Sequence, residues 1–346
     1  MRVGIIGASG YGGGELLRNL HNHPNVSLEL LVSNSTQGEQ LTEQFPQFHT
    51  ILDLPLNGFN ASEISEQVDI LFFATPAGIA KNHAPDFADK GIQCIDLSGD
   101  FRLKNGSIYM EWYKNTPAPQ EYLEKATYGL PELYRNKIKK SSFISNPGCY
   151  PTAAMLGMAP ALKSNLANLS VPIIVDGKTG VSGAGRKPST GIIYAEINEN
   201  TKAYNLGSHR HTPEMEQAAA EITGTDSRIS FNPHIVPMTR GILCTVYIQL
   251  DKTISSTGVI QLYEEFYKDD SFIRIRPESN LPATKDVYGT NYCDIGISVD
   301  KRTNVLSIIS VIDNLGKGAA TQAIQNMNLI NGWDEQTGLD TVPVYP

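Results

Sequence analysis

The segment Ser145-Asn-Pro-Gly-Cys149-Tyr-Pro-Thr-Ala-Ala-Met-Leu sets a cysteine directly ahead of a helical run, with Pro151 suited to its first turn. A thiol at a helix N-terminus is favoured as thiolate by unpaired N–H groups and the positive end of the helix dipole. The same N–H groups can hold a developing oxyanion, so Cys149 is placed as a covalent nucleophile. Cys94 and Cys244 lie inside apolar, strand-like runs and read as small buried hydrophobes, while Cys293 in Asn291-Tyr-Cys-Asp294 has no obvious activating neighbour. A nucleophile of this type needs a proton carrier from elsewhere in the chain. His209-Arg-His211 precedes Thr212-Pro-Glu-Met-Glu, which reads as an N-cap, a first-turn proline and an acidic first turn, so both histidines fall in a loop that enters a helix. His211 is the first candidate for acid and base and His209 the second. His234, beside Pro233, reads as a solvated loop histidine or a third candidate. A His-x-His pair could instead bind a metal, but no third ligand stands at a suitable spacing, and no metal is expected.

A second constellation opens the chain. Gly7-Ala-Ser-Gly10-Tyr-Gly-Gly13 has glycines at the spacing G-x-x-G-x-x-G between an apolar run and a helical pattern. That is the context in which a backbone approaches a pyrophosphate and a helix N-terminus supplies N–H donors. Gly7, Ser9, Gly10, Tyr11, Gly12 and Gly13 are the candidate contacts. An NAD site carries a carboxylate at the end of the second strand for the ribose 2′-hydroxyl. Here that position reads Ser33-Asn34-Ser35-Thr36, so neutral donors from Ser33, Ser35 and Thr36 and the missing carboxylate favour NADP(H) over NAD(H). Thr75 and Pro76, together with Ser182, Gly183 and Asn314, complete the set of candidate cofactor contacts.

The elements that must position these groups follow from hydrophobic period. Val3 to Ile6, Leu28 to Val32, Asp69 to Ala74 and Gln93 to Leu97 read as strands, with a helix through Leu16, Leu17 and Leu20 and another from Ala77 to Lys90. Alternating strands and helices predict a doubly wound parallel α/β sheet, a Rossmann domain. Beyond about residue 145 the rhythm changes, and Val171 to Val175, Ile242 to Leu250 and Ile295 to Val299 look like strands with long polar insertions, an α+β domain. Ser307 to Ile312 followed by a helical pattern from Ala319 to Met327 makes a last β-α unit that returns to the first domain. The expected division is therefore 1–145 with about 315–346 for the nucleotide, and 146–314 for catalysis, substrate and oligomerisation.

Length and composition agree with two cores. With 28 basic and 36 acidic side chains the net charge is -8, so no broad positive field exists for nucleic acid or anionic lipid, and an anionic ligand needs a local site. The four cysteines show no zinc or disulfide spacing, which predicts reduced thiols and a cytoplasmic setting, and the N-terminal apolar run is too short for a signal or membrane span.

Further segments carry a resemblance: Asp96-Leu-Ser-Gly-Asp-Phe-Arg-Leu103, Val181-Ser-Gly-Ala-Gly-Arg186, Pro233-His-Ile-Val-Pro-Met-Thr-Arg-Gly241 and Val311-Ile-Asp-Asn-Leu-Gly-Lys-Gly-Ala319. With the glycine, cysteine and histidine motifs above, the chain resembles the N-acetyl-gamma-glutamyl-phosphate reductases, relatives of the aspartate-semialdehyde dehydrogenases. The resemblance implies a homo-oligomer of two-domain subunits and NADPH as hydride donor. It also implies interconversion of N-acetyl-glutamyl phosphate with its semialdehyde and phosphate in arginine biosynthesis, through a thioester on Cys149. The small-molecule acyl phosphate would be held by Arg102, Asn146, Arg186 and Arg210, with Arg240 a further arginine inside the motifs. Family members commonly carry an arginine where this chain has Asn34. Rival readings are the same chemistry on aspartyl phosphate or another N-acyl-glutamyl phosphate, a nucleotide sensor without turnover, and a hydrolase, which no G-x-S-x-G motif supports.

Overall fold

A computed structural model describes residues 1–345 and divides the chain into two compact units, Met1–Pro147 with Ala319–Asp340, and Gly148–Gly318 with the segment from Thr341 onward. The first unit is built on seven parallel strands: β1 (Arg2–Ile6), β2 (Ser27–Val32), β3 (Leu56–Asn57), β4 (Ile70–Phe73), β5 (Gln93–Asp96), β6 (Thr127–Tyr128) and β7 (Phe143–Ser145). Their order, β3-β2-β1-β4-β5-β7-β6, reverses direction between β1 and β4. Every residue of β4 is buried, as expected where helices cover both faces of a parallel sheet. The second unit has a mixed sheet of β8 (Ile173–Thr179), β9 (Lys202–Ala203), β10 (Ile229–Ile235), β11 (Ile242–Gln249), β12 (Ile273–Ile275), β13 (Cys293–Asp300) and β14 (Val305–Ile312), in the order β12-β13-β14-β11-β8-β10-β9.

Five helices matter for the sites: α1 (Tyr11–Leu20), α2 (Cys149–Lys163), α3 (Thr212–Thr223), α4 (Ser256–Phe266) and α5 (Thr321–Ile330). Helix α2 is buried on all sides from Tyr150 to Leu162, so it forms the core of the second unit and packs on β11 and β14. Pro160 lies inside it and cannot donate to the carbonyl of Leu156. That carbonyl instead accepts the hydroxyl of Tyr267 at 2.6 Å, while Tyr263 of α4 donates to Gly157 O at 2.7 Å. Helix α5 belongs to the first unit, where it packs on α1.

Four local expectations change. The helix expected over 77–90 is two short pieces, a 3₁₀ turn at Ala80–Asn82 and a helix at Ala84–Asp89, because Gly78 takes φ +97° and Pro85 starts a new first turn. Thr212 is the first residue of α3, and His211 occupies the cap position without a side-chain cap bond. His234 lies within β10, paired with Lys178 of β8, so it is no loop residue. The end of the chain does not stay with the nucleotide unit: Val344 N donates to Tyr288 O at 3.2 Å, which ties the segment after Thr341 to the second.

Candidate active site

The crevice where strand order reverses, at the C-terminal ends of β1 and β4, is where open α/β sheets bind ligands. The glycines of its turn divide into two kinds. Gly7 has φ +89°, and a Cβ there would lie 2.4 Å from Ala74 O, while one on Gly13 would lie 2.5 Å from Ala8 O, so the fold itself requires both. A Cβ on Gly10 or Gly12 would meet nothing closer than 3.5 Å and 3.8 Å. A side chain at either would make only ordinary contacts, so the fold does not demand these two glycines, and the first turn of α1 holds no acid. Thr75 Oγ1 is buried without a hydrogen-bond partner on the β4 side of this crevice, beside Gly7. On the β2 side, Ser33 Oγ is 2.7 Å from both Ser9 Oγ and Thr36 Oγ1 and 3.5 Å from Ser35 Oγ. Asn34 accepts the backbone N–H of Phe59 through Oδ1 at 3.1 Å. These are the donors, the glycine turn and the absent carboxylate that suit a dinucleotide with a 2′-phosphate.

In the second unit Cys149 is the first residue of α2 and the only cysteine that is not buried. Gly318 packs directly on it: an added Cβ would come within 2.9 Å of Cys149 Cβ. Burial holds the Cys94 and Cys244 thiols far above the usual thiol range, with like charge adding to it, so neither is a nucleophile at neutral pH. The next residue, Tyr150, is a buried platform. Its ring stands edge-on to His209 at 5.8 Å, His211 at 6.1 Å and Phe231 at 5.0 Å, and its hydroxyl donates to His234 O at 3.2 Å. Gly177 of β8 makes room for it, since a Cβ there would lie 2.5 Å from the tyrosine ring. Tyr204 closes the group by donating to the Tyr150 hydroxyl at 3.5 Å.

The two candidate histidines are thus brought together, with ring centroids 4.7 Å apart, against the side chain that follows the cysteine. They are not equivalent. His209 is buried, and its Nδ1 accepts the backbone N–H of His211 at 3.1 Å. Burial, with the Arg210 charge second, pushes its pKa down to about 4, so it is a neutral imidazole at pH 7 with one nitrogen already committed. His234 Nδ1 is 3.1 Å from Asn232 O, its hydrogen-bond partner, and 3.3 Å from Asp176 Oδ1.

Glu214 is the residue that local reading missed. It reads as an ordinary first-turn acid of α3, yet it is fully buried and its Oε1 accepts Gly148 N–H at 2.8 Å. The carboxylate satisfies a donor at the α2 N-terminus and so sets the start of α3, with His211 at its cap, against the start of α2.

The arginines separate as well. Arg102 is buried and its Nε and Nη2 donate to Asn146 O and Leu97 O, both at 2.8 Å; Asn146 in turn bonds Ala319 O and the Asn326 side chain. Both lie buried around the end of β7 in the first unit, joined to each other and to neighbouring main chain. Arg240 makes a two-point ion pair with the fully buried Asp313, at 2.9 and 3.0 Å, which is also structural. Arg186 and Arg210 are exposed. Asn314 and Ser182 are buried in the second unit, where Asn314 bonds Ser182 Oγ at 2.9 Å and Gly241 N at 2.7 Å, with Gly183 alongside. Among the described residues no cluster of metal-ligating groups occurs and no helix is long and apolar enough to cross a membrane.

A family model described as the semialdehyde dehydrogenase NAD binding domain matches residues 2–141, and one described as the semialdehyde dehydrogenase dimerisation domain matches 149–314. The N-acetyl-gamma-glutamyl-phosphate reductase of Oceanobacillus iheyensis is 49% identical over 346 residues, 100% of this chain and 99% of its own length. That of Bacillus subtilis is 47% identical over 346 residues, 100% of both. The chain belongs to the N-acetyl-gamma-glutamyl-phosphate reductase family. More distant solved structures share the fold alone. Aspartate semialdehyde dehydrogenase II of Vibrio cholerae, complexed with ASA, has a TM-score of 0.72 at 19% identity, covering 96% of this chain and 98% of that one. The Candida albicans aspartate semialdehyde dehydrogenase with NADP has 0.68 at 16%, covering 95% and 98%.

Proposed function

We propose that this chain reduces N-acetyl-L-glutamyl 5-phosphate to N-acetyl-L-glutamate 5-semialdehyde and phosphate with NADPH, in arginine biosynthesis. The observation that carries the reading is Cys149. In a member of this family, it is the one unburied cysteine, and it stands at the start of a buried helix whose next residue, Tyr150, packs edge-on against His209 and His211.

The Cys149 sulfur attacks the acyl carbon, the bond from that carbon to the phosphate oxygen breaks, and phosphate leaves a thioester behind. His211 takes the thiol proton as the sulfur attacks. When bound, NADPH supplies the hydride that reduces the thioester carbon. The oxyanion of the resulting thiohemiacetal is stabilised by N–H donors at the start of α2 and exchanges a proton with His211, after which the C–S bond breaks and the aldehyde departs. His209, neutral and anchored through Nδ1, orients the backbone of His211 instead of carrying the proton itself. Arg186 and Arg210 supply the exposed guanidinium groups that bind phosphate and carboxylate in two-point fashion. Ser9, Ser33, Ser35 and Thr36 receive the 2′-phosphate, and Thr75 and Pro76 line the other side of the crevice.

The second unit is also the assembly surface of a homo-oligomer. Ile174 of β8 and Tyr247 of β11 pair in register and are 44% and 37% exposed, while Ile173, Val175, Val246 and Ile248 beside them are buried. That exposed pair starts an apolar face suited to a second copy of the chain.

The deciding assay is phosphate-dependent reduction of NADP by N-acetyl-glutamate semialdehyde, run beside aspartate semialdehyde. A higher kcat/KM for the aspartate compound would overturn the substrate assignment.

A further inference from the structure

The first unit contains a buried acidic knot that the reaction scheme does not use. Asp100, in the loop after β5, is fully buried. Its Oδ1 accepts Gly78 N–H at 2.7 Å and the Tyr109 hydroxyl at 2.8 Å, and its Oδ2 accepts Lys81 N–H at 3.1 Å. The loop that presents it is folded on itself: Asp96 Oδ1 accepts Ser98 N–H at 2.8 Å, and Ser98 Oγ accepts Asp100 N–H at 3.3 Å. The segment so gripped, Thr75 to Lys81, leaves the C-terminal end of β4 and forms one wall of the crevice opposite β2. It is held again from its far side by Lys81 Nζ on Asn115 Oδ1 at 3.0 Å. Gly78 sits at φ +97°, and a Cβ on it would come within 2.7 Å of Asn115 Nδ2, so a side chain there would strain the backbone and displace Asn115.

We propose that Asp100 is a positioning residue for the nicotinamide half of the dinucleotide, acting through the Thr75–Lys81 wall that it holds. The topology assigns the halves: the adenosine ribose lies toward the hydroxyl cluster at the end of β2, which leaves the nicotinamide side to the β4 wall. A carboxylate is needed because its two oxygens accept three donors, two of them main-chain N–H groups of the wall. The assignment rests on the reading that this crevice binds NADP(H).

The test compares NADPH with adenosine 2′,5′-bisphosphate, which carries only the β2-side half. In Asp100→Asn one acceptor becomes an NH2 group facing main-chain donors. NADPH should bind about tenfold more weakly, while adenosine 2′,5′-bisphosphate changes by less than about twofold. Gly78→Ala, which disturbs the wall without altering the buried carboxylate, should show the same split and stands in if Asp100→Asn does not fold. Equal weakening of both ligands, or of neither, in these variants overturns the assignment. Failure of the wild-type protein to bind adenosine 2′,5′-bisphosphate would instead strike at the cofactor reading.

Discussion

The carboxylate of Glu214 accepts the backbone N–H of Gly148 at 2.8 Å, a bond that fastens the helix entered through His211 to the helix that begins at Cys149. It joins residues 66 apart in sequence inside a dry site. Glu214→Ala should leave that donor buried and unpaired, at a cost of about 1–3 kcal/mol, and lower kcat by at least about tenfold with NADPH affinity unchanged. Glu214→Gln keeps an acceptor and should recover most of the stability. Equal damage in both variants would show that charge, not alignment, is what the site needs.

Cys149→Ala should abolish turnover and leave NADPH binding intact, because the glycine turn belongs to the other unit. Cys94→Ala, Cys244→Ala and Cys293→Ala remove buried volume and, at Cys94 and Cys293, weak thiol hydrogen bonds, so they should keep the chemistry and lose stability instead. Single-turnover rates and melting temperatures separate the two kinds of loss.

His211→Asn should slow the chemical step by about a hundredfold to ten-thousandfold, the range for loss of a general acid–base. His209→Asn should cost less, since an asparagine Oδ1 can replace Nδ1 as acceptor for the His211 N–H, and His209→Leu, which cannot, should cost more than His209→Asn. If His209→Asn proved the more damaging of the two asparagine variants, the proton carrier would be His209.

The cofactor turn offers a separation of fold from function. Gly13→Ala should impair folding, because its Cβ would lie 2.5 Å from a carbonyl oxygen, whereas Gly10→Ala should fold normally and weaken NADPH by about tenfold or more. Thr36→Asp should move preference toward NADH by placing a carboxylate beside Ser33 Oγ. Cofactor titrations with both nucleotides check the two claims together.

Stability should respond to pH through two buried groups of opposite sign. Burial, with Asp100 next, raises Asp96 to about 6, above its unfolded value, so its contribution is present below pH 4 and is lost as pH rises through 6. Burial lowers His209 to about 4, so its contribution is present above its unfolded value near 6.5 and is lost as pH falls toward 4. Between pH 4 and 6, Asp96→Asn should therefore remove a term that favours acid by up to about 1.4 kcal/mol per pH unit, and His209→Asn one that favours base. Denaturant unfolding across that window should show the two variants diverging from the wild type in opposite directions.

Much of this was legible along the chain, for local reasons. The short apolar run at β4, bounded by turn residues, suits a strand buried on both faces, the glycines stood between a strand and a helix, and Pro151 marked a helix start that put Cys149 at its N-terminus. These are properties of neighbours in sequence, decided by backbone sterics and hydrophobic period. The tertiary structure alone decided which charged side chains are buried and what they touch. Arg102 is buried on the main-chain carbonyls of Leu97 and Asn146, and the buried carboxyl groups of Glu214 and Asp100 each hold main-chain N–H groups of another segment. It also decided which glycines the fold needs, since Gly7 and Gly13 are pressed against carbonyl oxygens while a Cβ on Gly10 would make only an ordinary contact. A carboxylate's burial and its partner come from segments dozens of residues away, and no local propensity encodes a desolvation energy set by packing at that range.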